Sequence, residues 1–152
     1  MDDVLEVRRR PGDPLQAGRR TRKRAVGSLR DRRLAVLNAT ASDVMSYDLL
    51  RNILFPVTSP ARQAAASAGF KLTGFKLLND STLTPGQGVH GVREVFAYTY
   101  PGSITDIFDQ VALTNANSTI AYVLIVHCVS SCYEQNFDVI NTVMTSFTVR
   151  SQ

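Results

Sequence analysis

The hydrophobic and polar positions from residue 34 onward first predict a strand and then a helix. The segment "RRLAVLNATA" has the apolar content of a strand, and "SDVMSYDLLRNILF" follows it. Apolar residues in the second segment recur at the period of an amphipathic helix, and Ser42 is suited to cap its start. The predicted buried stripe of this helix comprises Met45, Leu49, Leu50, Ile53 and Leu54.

A second, shorter helix is predicted for the segment "SPARQAAASAG". Ser59 stands at the expected N-cap, Pro60 at the first helical position and Gly69 just past the end. This placement of proline and glycine is the usual asymmetry of helix termini, because the first turn does not need the N–H that proline lacks. Both predicted helices therefore precede the main run of strands.

Four strands are predicted after these helices. The segment "FKLTGFKLL" ends at the turn-forming pair Asn79 and Asp80, and the loop "STLTPGQGVHG" leads into "VREVFAYTY". The strands "DIFDQVALT" and "TIAYVLIVHC" follow, separated by the turn "NANS". The last strand is apolar on both faces, which predicts a central strand that is covered on both sides.

The strand "VREVFAYTY" has two distinct faces, since successive side chains of a strand alternate. One face carries Val92, Glu94, Phe96, Tyr98 and Tyr100. The opposite face carries Arg93, Val95, Ala97 and Thr99. The pattern therefore places an acidic side chain among aromatic residues on one side of the sheet and a basic side chain on the other.

The C-terminal segment "SSCYEQNFDVINTVMTSF" predicts a single long helix. Ser131 and Glu134 have the spacing of a capping box, in which two side chains satisfy backbone N–H groups of the first turn. The predicted buried stripe comprises Phe137, Ile140, Val143, Met144 and Phe147.

These elements predict an α+β fold with the order β-α-α-β-β-β-β-α. Strands that follow one another through short turns pair in antiparallel fashion, and helices at the two ends of the domain pack on the resulting sheet. The prediction is an antiparallel β-sheet flanked by helices. It divides the chain into a basic N-terminal arm, residues 1–33, and a single α+β domain, residues 34–152.

The charge distribution supports that division. Residues 1–33 hold 11 of the 17 Lys and Arg residues and 5 of the 13 acids, for a net charge of +6, and the remainder carries −2. With two prolines and few apolar residues in its arginine-rich part, the arm is predicted to be disordered. Its candidate polyanion contacts are Arg8, Arg9, Arg10, Arg19, Arg20, Arg22, Lys23 and Arg24.

Nucleic-acid binding through this arm is one hypothesis, since each phosphate contact would release counterions. Interspersed acids and the absence of aromatic residues from the arm favour a solvated tail instead. No apolar run approaches the roughly 18 residues of a transmembrane helix, so no membrane span is predicted. A signal peptide is not recognised either, because no apolar segment follows the first charged residues.

Both cysteines lie in "VHCVSSCYEQ", and three interpretations are open for them. Cys128 ends a strand and Cys132 begins a helix, where the helix dipole stabilises a thiolate, so a thiol redox site is possible chemically. The C-x-x-x-C spacing differs from that of thioredoxin-like sites, which disfavours this interpretation. A disulfide between Cys128 and Cys132 is favoured if the compartment is oxidising, and two reduced thiols otherwise.

A metal site would need further ligands, and His127 and His90 are the available histidines. His127 and Cys128 are neighbours on a strand and point to opposite faces, which opposes their sharing a metal ion. No metal, cofactor or catalytic residue is therefore predicted, and the motifs of nucleotide-binding loops and serine hydrolases are absent from the sequence.

The segments "GVREVFAYTY" and "IAYVLIVHC", followed by "SSCYEQNFDVINTVMTSFTV", resemble the PsbP-like superfamily. This superfamily includes photosystem extrinsic proteins and bacterial LpqN-type lipoproteins, and the resemblance covers residues 34–150. The present sequence departs from that group because it has no tryptophan and no aromatic-rich opening strand. The resemblance implies a non-enzymatic protein-binding or assembly module in an extracytoplasmic setting. The alternatives are a nucleic-acid-associated protein and a thiol redox protein.

Overall fold

One mixed sheet forms the body of the computed structural model, which describes residues 5–6, 32–38 and 45–150, with side chains described for 45–150. The strands are β1 (Leu5–Glu6), β2 (Arg32–Asn38), β3 (Thr73–Gly86), β4 (Val89–Tyr100), β5 (Ile104–Thr114) and β6 (Ile120–Val129). The helices are α1 (Tyr47–Arg51), α2 (Ser59–Ser67), α3 (Ser130–Gln135) and α4 (Phe137–Ser146).

The strands lie in the order β1-β2-β6-β5-β4-β3. β3 to β6 are joined consecutively and pair antiparallel, and β2 pairs antiparallel with β6, whereas the two-residue β1 is parallel to β2. The predicted α+β class and antiparallel sheet are therefore confirmed. None of the described helices has the length and apolar character that crossing a membrane requires.

β4 and β5 form the most regular ladder, with ten consecutive residue pairs between Gly91↔Leu113 and Tyr100↔Ile104. The predicted alternation along β4 is confirmed. Phe96 and Tyr98 pack in one apolar cluster, whereas Val95 and Ala97 pack in another on the opposite face. The sheet consequently has two covered faces with different contents.

The first face, which we call the α1 face, is covered by α1 and the segment after it. Its buried apolar side chains are Met45, Leu50, Val57, Val92, Phe96, Tyr98, Phe108, Ala112, Ala121, Val123 and Ile125. The second face, the α4 face, is covered by α3 and α4, which contribute Tyr133, Ile140 and Met144. β6 lies between β2 and β5 and contributes buried residues to both faces, as its apolar sequence predicts.

The turn predicted at Asn79 and Asp80 is wrong. Both residues lie inside β3, where they pair with Val95 and Glu94 of β4. The strand continues through "STLT", which contains two β-branched threonines, and ends at Gly86. The reversal occurs there because Gly86, Gln87 and Gly88 adopt positive φ angles of 109°, 53° and 79°, and glycine reaches such angles at little cost.

The first helix is shorter than predicted and starts later. Its N-cap is Ser46, whose Oγ accepts a hydrogen bond from the Leu49 N–H at 3.1 Å; the predicted cap, Ser42, lies outside the described residues. It ends at Arg51 because the Asn52 side chain accepts hydrogen bonds from Val57 N and Thr58 N. Leu49 is 47% exposed, so its prediction as a buried residue is wrong.

The remaining helix termini differ in similar ways. α2 begins at Ser59 with Thr58 as its N-cap, so the predicted cap at Ser59 is wrong and Pro60 is the second helical residue. Gly69 follows the end of the helix with a φ of +85°, as predicted. The predicted C-terminal helix is two helices, since Asn136 interrupts it. The capping box is also wrong, because the residue before α3 is Val129 and no side chain caps that helix.

Part of the C-terminal apolar stripe is confirmed. Ile140 and Met144 are buried, and Phe147 packs against the same cluster. Phe137 is 49% exposed and lies where α4 begins, so it does not belong to the buried face.

Little of the predicted basic arm is described. Leu5–Glu6 and the first two residues of β2, Arg32 and Arg33, are in strands. The candidate polyanion contacts lie outside the described residues, and nucleic-acid binding stays a prediction. These contacts are Arg8, Arg9, Arg10, Arg19, Arg20, Arg22, Lys23 and Arg24.

Candidate functional site

The two cysteines lie on the α4 face, at the junction between β6 and α3. Both are free thiols, and Cys132 is buried. Burial, followed by the interaction with Cys132, raises the pKa of Cys128 to about 12. Since the thiolate is the nucleophile, this environment disfavours a reactive thiol at Cys128. The disulfide between Cys128 and Cys132 stays a prediction for an oxidising compartment.

This environment predicts that Cys128 reacts slowly with thiol reagents in the folded protein. We expect a disulfide reagent at neutral pH to modify Cys128 much more slowly in the native protein than in urea, because the protonated thiol is a poor nucleophile. Absorbance of the released thiol, with a Cys132→Ser variant to assign the reaction, measures both rates. Rapid native labelling of Cys128 would contradict the prediction.

The histidines do not join the cysteines in one site. His127 lies on the α1 face, where its ring stacks on Phe108 with centroids 5.2 Å apart and its Nδ1 is 3.4 Å from Asp106 Oδ2. His90 contacts Met45 O through Nε2 and Thr114 Oγ1 through Nδ1, each at 3.1 Å. Within residues 45–150, no three His, Cys, Asp or Glu side chains are grouped as metal ligands.

A buried ionic network occupies the α4 face between the sheet and the helices. Arg93 donates from Nε and Nη2 to the two carboxylate oxygens of Asp109 at 3.0 and 2.8 Å. Tyr133 of α3 donates to Asp109 Oδ2 at 2.8 Å, and Arg93 Nη1 donates to Asn141 of α4 at 2.9 Å. The network therefore connects β4 and β5 to both C-terminal helices.

The α1 face holds a buried acid, Glu94, whose side chain is fully inaccessible. Gln110 Nε2 donates to Glu94 Oε2 at 3.1 Å. Burial, and next the negative charge of Asp80, raise the pKa of Glu94 to about 8, although the hydrogen bond from Gln110 and the charge of Arg51 oppose this shift. Glu94 is therefore mostly protonated at neutral pH, in contrast to an ordinary solvated glutamate.

Arg51, the last residue of α1, connects this acid to the edge of the sheet. Its Nε is 3.8 Å from Glu94 Oε1, too far for a hydrogen bond. Its donors instead contact the carboxylate of Asp80 on β3, with Nε 3.2 and 3.1 Å from the two oxygens and Nη2 3.0 Å from Oδ1. α1 is thus joined to the middle of β3 by a bidentate ion pair.

β3 is the edge strand of this region and is mostly exposed over its 14 residues. Its pairing with β4 is irregular near both ends but continuous for residues 79–83, which we call the open edge segment. Asp80 lies inside this segment. Just before it, Leu77 and Leu78 are 46% and 44% exposed.

No pattern in the sequence predicted these connections between distant residues. The signal that was available is the position of Glu94 on an aromatic face, since an acid there must be either paired or neutral. Its partners could not be identified because Arg51, Asp80 and Gln110 lie in three other elements, and one of those residues was predicted to form a turn.

Comparisons with known proteins do not assign this chain to a family. No protein-family model matches the chain, and no curated protein matches it. One similar solved structure is the crystal structure of PA94 from Pseudomonas aeruginosa, a protein of unknown function for which a regulatory role has been suggested. The sequences are 15% identical, the match covers 81% of this chain and 87% of that chain, and the TM-score is 0.47. The similarity to the PsbP-like superfamily stays a prediction.

Proposed function

We propose that this domain is a non-enzymatic protein-binding module that takes up an extended segment of its partner along the open edge segment of β3. The observation that carries the proposal is the position of β3 at the end of the sheet, where no other described strand pairs with its outer side. The backbone N–H and C=O groups on that side suit the main chain of an added strand, which is a common mode of peptide recognition.

The irregularities of β3 favour this segment over the rest of the edge. Register shifts lie between Thr73 and Lys76, between Leu77 and Asn79, and between Leu83 and Gly86. Bulges, lysines and prolines are the features that protect edge strands from pairing, and Lys76 and Pro85 lie in or beside the irregular parts. Residues 79–83 contain no bulge, lysine or proline, so none of these features obstructs pairing with a short strand there.

Exposed apolar side chains adjoin the open edge segment. Both Leu77 and Leu78 are exposed, so they offer apolar contacts to a strand that pairs with β3. Leu49 and Leu54, at α1 and just beyond it, are 47% and 38% exposed. Apolar side chains beside an unpaired strand are unusual in a protein without a partner, which supports a binding role.

The chemistry of the interior supports a non-enzymatic role. Arg93 and Asp109 bind each other and residues of α3 and α4, so their polar atoms are used within the fold. Both ring nitrogens of His90 contact neighbouring oxygens, and the pKa of the Cys128 thiol is raised. These groups are better explained as structural contacts than as acids, bases or nucleophiles.

A charge placed on the edge tests the proposal. Peptides selected from a random linear phage-display library are expected to bind the wild-type domain and to lose at least about tenfold in affinity with Thr82→Lys, because lysine on an edge opposes strand addition. Fluorescence anisotropy measures the affinity. Ser131→Lys, an exposed site on α3, is the matched control and should leave the affinity unchanged.

Hydrogen exchange locates the bound peptide. The amides of residues 79–83 that point away from β4 should gain protection on binding, since they would form hydrogen bonds to the added strand. The proposal is wrong if the selected peptides protect another surface, if Thr82→Lys and Ser131→Lys bind equally well, or if the library yields no binder. A stable dimer, detected by chromatography with light scattering and protected at β3 in hydrogen exchange, would instead assign the edge to self-association.

A further inference from the structure

The buried pair formed by Glu94 and Gln110 lacks one hydrogen-bond donor. Gln110 Nε2 donates to Glu94 Oε2, but Glu94 Oε1 and Gln110 Oε1 are both buried and have no hydrogen-bond partner. A carboxylate and an amide oxygen are acceptors only, whereas a protonated carboxyl group has an O–H donor. Because a buried carboxylate oxygen without a donor is costly, the unpartnered Glu94 Oε1 favours the neutral acid.

The groups around Glu94 come from three elements. α1 contributes Arg51, β3 contributes Asp80, and β5 contributes Gln110, while Asp48 of α1 contacts Arg51. Arg51 is the cation of this group, and it contacts Asp80 at 3.0 Å and Asp48 at 3.4 Å while remaining 3.8 Å from Glu94 Oε1. When Glu94 is neutral, it does not compete with the carboxylate of Asp80 for Arg51, so the ion pair between Arg51 and Asp80 is retained.

Ionisation of Glu94 changes this balance. The new carboxylate is buried, whereas Asp80 is about a third exposed and is solvated more easily. A buried charge without a partner costs far more than an exposed one, so Arg51, already within 4 Å, is drawn toward Glu94. Asp80 then loses its bidentate partner and presents a bare negative charge in the open edge segment of β3.

We propose that the protonation state of Glu94 selects which carboxylate Arg51 binds, and thereby sets the charge that the open edge segment presents to a bound strand. The second half of this inference rests on the proposed binding function, and the first half does not. In the neutral state, the charge of Asp80 is compensated and the edge accepts uncharged strands. In the ionised state, the edge favours a strand with a cationic residue opposite Asp80.

Carboxyl-carbon and arginine Nε NMR resonances of the full chain, followed from pH 5 to pH 10, test the switch directly. Glu94 is expected to titrate with a midpoint near 8, and Arg51 Nε and Asp80 Cγ should shift with the same midpoint. In Glu94→Gln the shared transition of Arg51 and Asp80 should disappear, since the amide keeps the pair with Gln110 without a titrating group. The switch is contradicted if the chemical shifts of Arg51 Nε and Asp80 Cγ do not change over the pH range in which Glu94 titrates.

A second variant keeps the test independent of whether Glu94→Gln folds. Asp80→Asn removes both the negative charge that raises the pKa of Glu94 and the competitor for Arg51. The Glu94 midpoint should therefore fall by about one pH unit or more. An unchanged or higher midpoint would contradict the proposal.

Peptide binding separates this inference from the proposed function. A peptide selected at pH 6.5, and its variant with one lysine placed opposite Asp80, are titrated at pH 6.5 and pH 9. The preference for the lysine variant should grow at least about threefold at pH 9 in the wild type and stay constant in Glu94→Gln. Binding at β3 with a constant preference overturns the switch alone, whereas the coupled NMR transition without any peptide binding overturns the proposed function alone.

Discussion

Replacing Asp109 with alanine is expected to destabilise the domain by about 3–5 kcal/mol, which is the usual cost of removing one partner of a buried ion pair. Asp109 is fully buried and accepts hydrogen bonds from Arg93 at two positions and from Tyr133. The substitution leaves the Arg93 guanidinium with Asn141 as its remaining described partner, and the Tyr133 hydroxyl loses its acceptor. Urea unfolding followed by far-UV circular dichroism measures the loss.

The matched control for this prediction removes both charges. The double variant Arg93→Met/Asp109→Leu leaves neither charge of this pair buried without its partner. Its loss of stability should therefore be much smaller than the sum of the losses measured for Arg93→Met alone and for Asp109→Leu alone. A double-mutant cycle gives the coupling energy between the two side chains. A loss below about 1 kcal/mol for Asp109→Ala would show that the network contributes little to stability.

Replacing Glu94 with glutamine is expected to stabilise the domain at alkaline pH by roughly 2–4 kcal/mol. The pKa of Glu94 is raised from 4.5 to about 8 in the folded state, so between these values the folded protein binds more protons than the unfolded chain. The free energy of unfolding therefore falls as pH rises through this window, and the full cost is present above about pH 8. Glutamine has no such cost and can also donate to Gln110 Oε1.

Unfolding free energies at pH 5, 7 and 9 measure this effect. The gain should be small at pH 5, where the acid is protonated in the folded protein, and largest at pH 9. Glu134→Gln is the matched control, because Glu134 is exposed on α3 and its charge is solvated in both states. Equal stability of wild type and Glu94→Gln at pH 9 would mean that Glu94 is ionised in the folded protein at little cost.

The contrast between these two acids arises from their partners. Asp109 and Glu94 lie on neighbouring strands and are both fully buried, but Asp109 has a bidentate arginine and Glu94 has an amide. The arginine nearest to Glu94 is occupied by Asp80. Burial alone therefore does not decide the charge of an acid; the donors that its neighbours leave available decide it.

The alternation of residues along β4 could be predicted because side chains of a strand point to opposite faces regardless of what covers them. Glu94 with Phe96 and Arg93 with Val95 were assigned to their correct faces on this basis. The same reasoning assigned His127 and Cys128 to opposite faces, where the structure places them. These predictions depended only on local backbone geometry, which is a property of the residues themselves.

Helix and turn boundaries were predicted less well, because side chains decided them through specific hydrogen bonds. Asn52 ends α1 by accepting hydrogen bonds from Val57 and Thr58 N–H, and its side chain also donates to Asp48 O. The apolar periodicity continues past this point, so the pattern predicted a longer helix. Asn79 and Asp80 have strong turn propensities, but pairing with β4 outweighs them.

The sequence by itself determined the α+β class, the antiparallel strand succession and the two faces of β4, since hydrophobic periodicity encodes which side of each element is buried. Only the tertiary structure decided that Arg51 binds Asp80, that Glu94 faces an amide and that β3 lies at the end of the described sheet. Those features depend on which elements lie side by side, and the free energies that select the neighbours are distributed over many contacts between residues far apart in the chain.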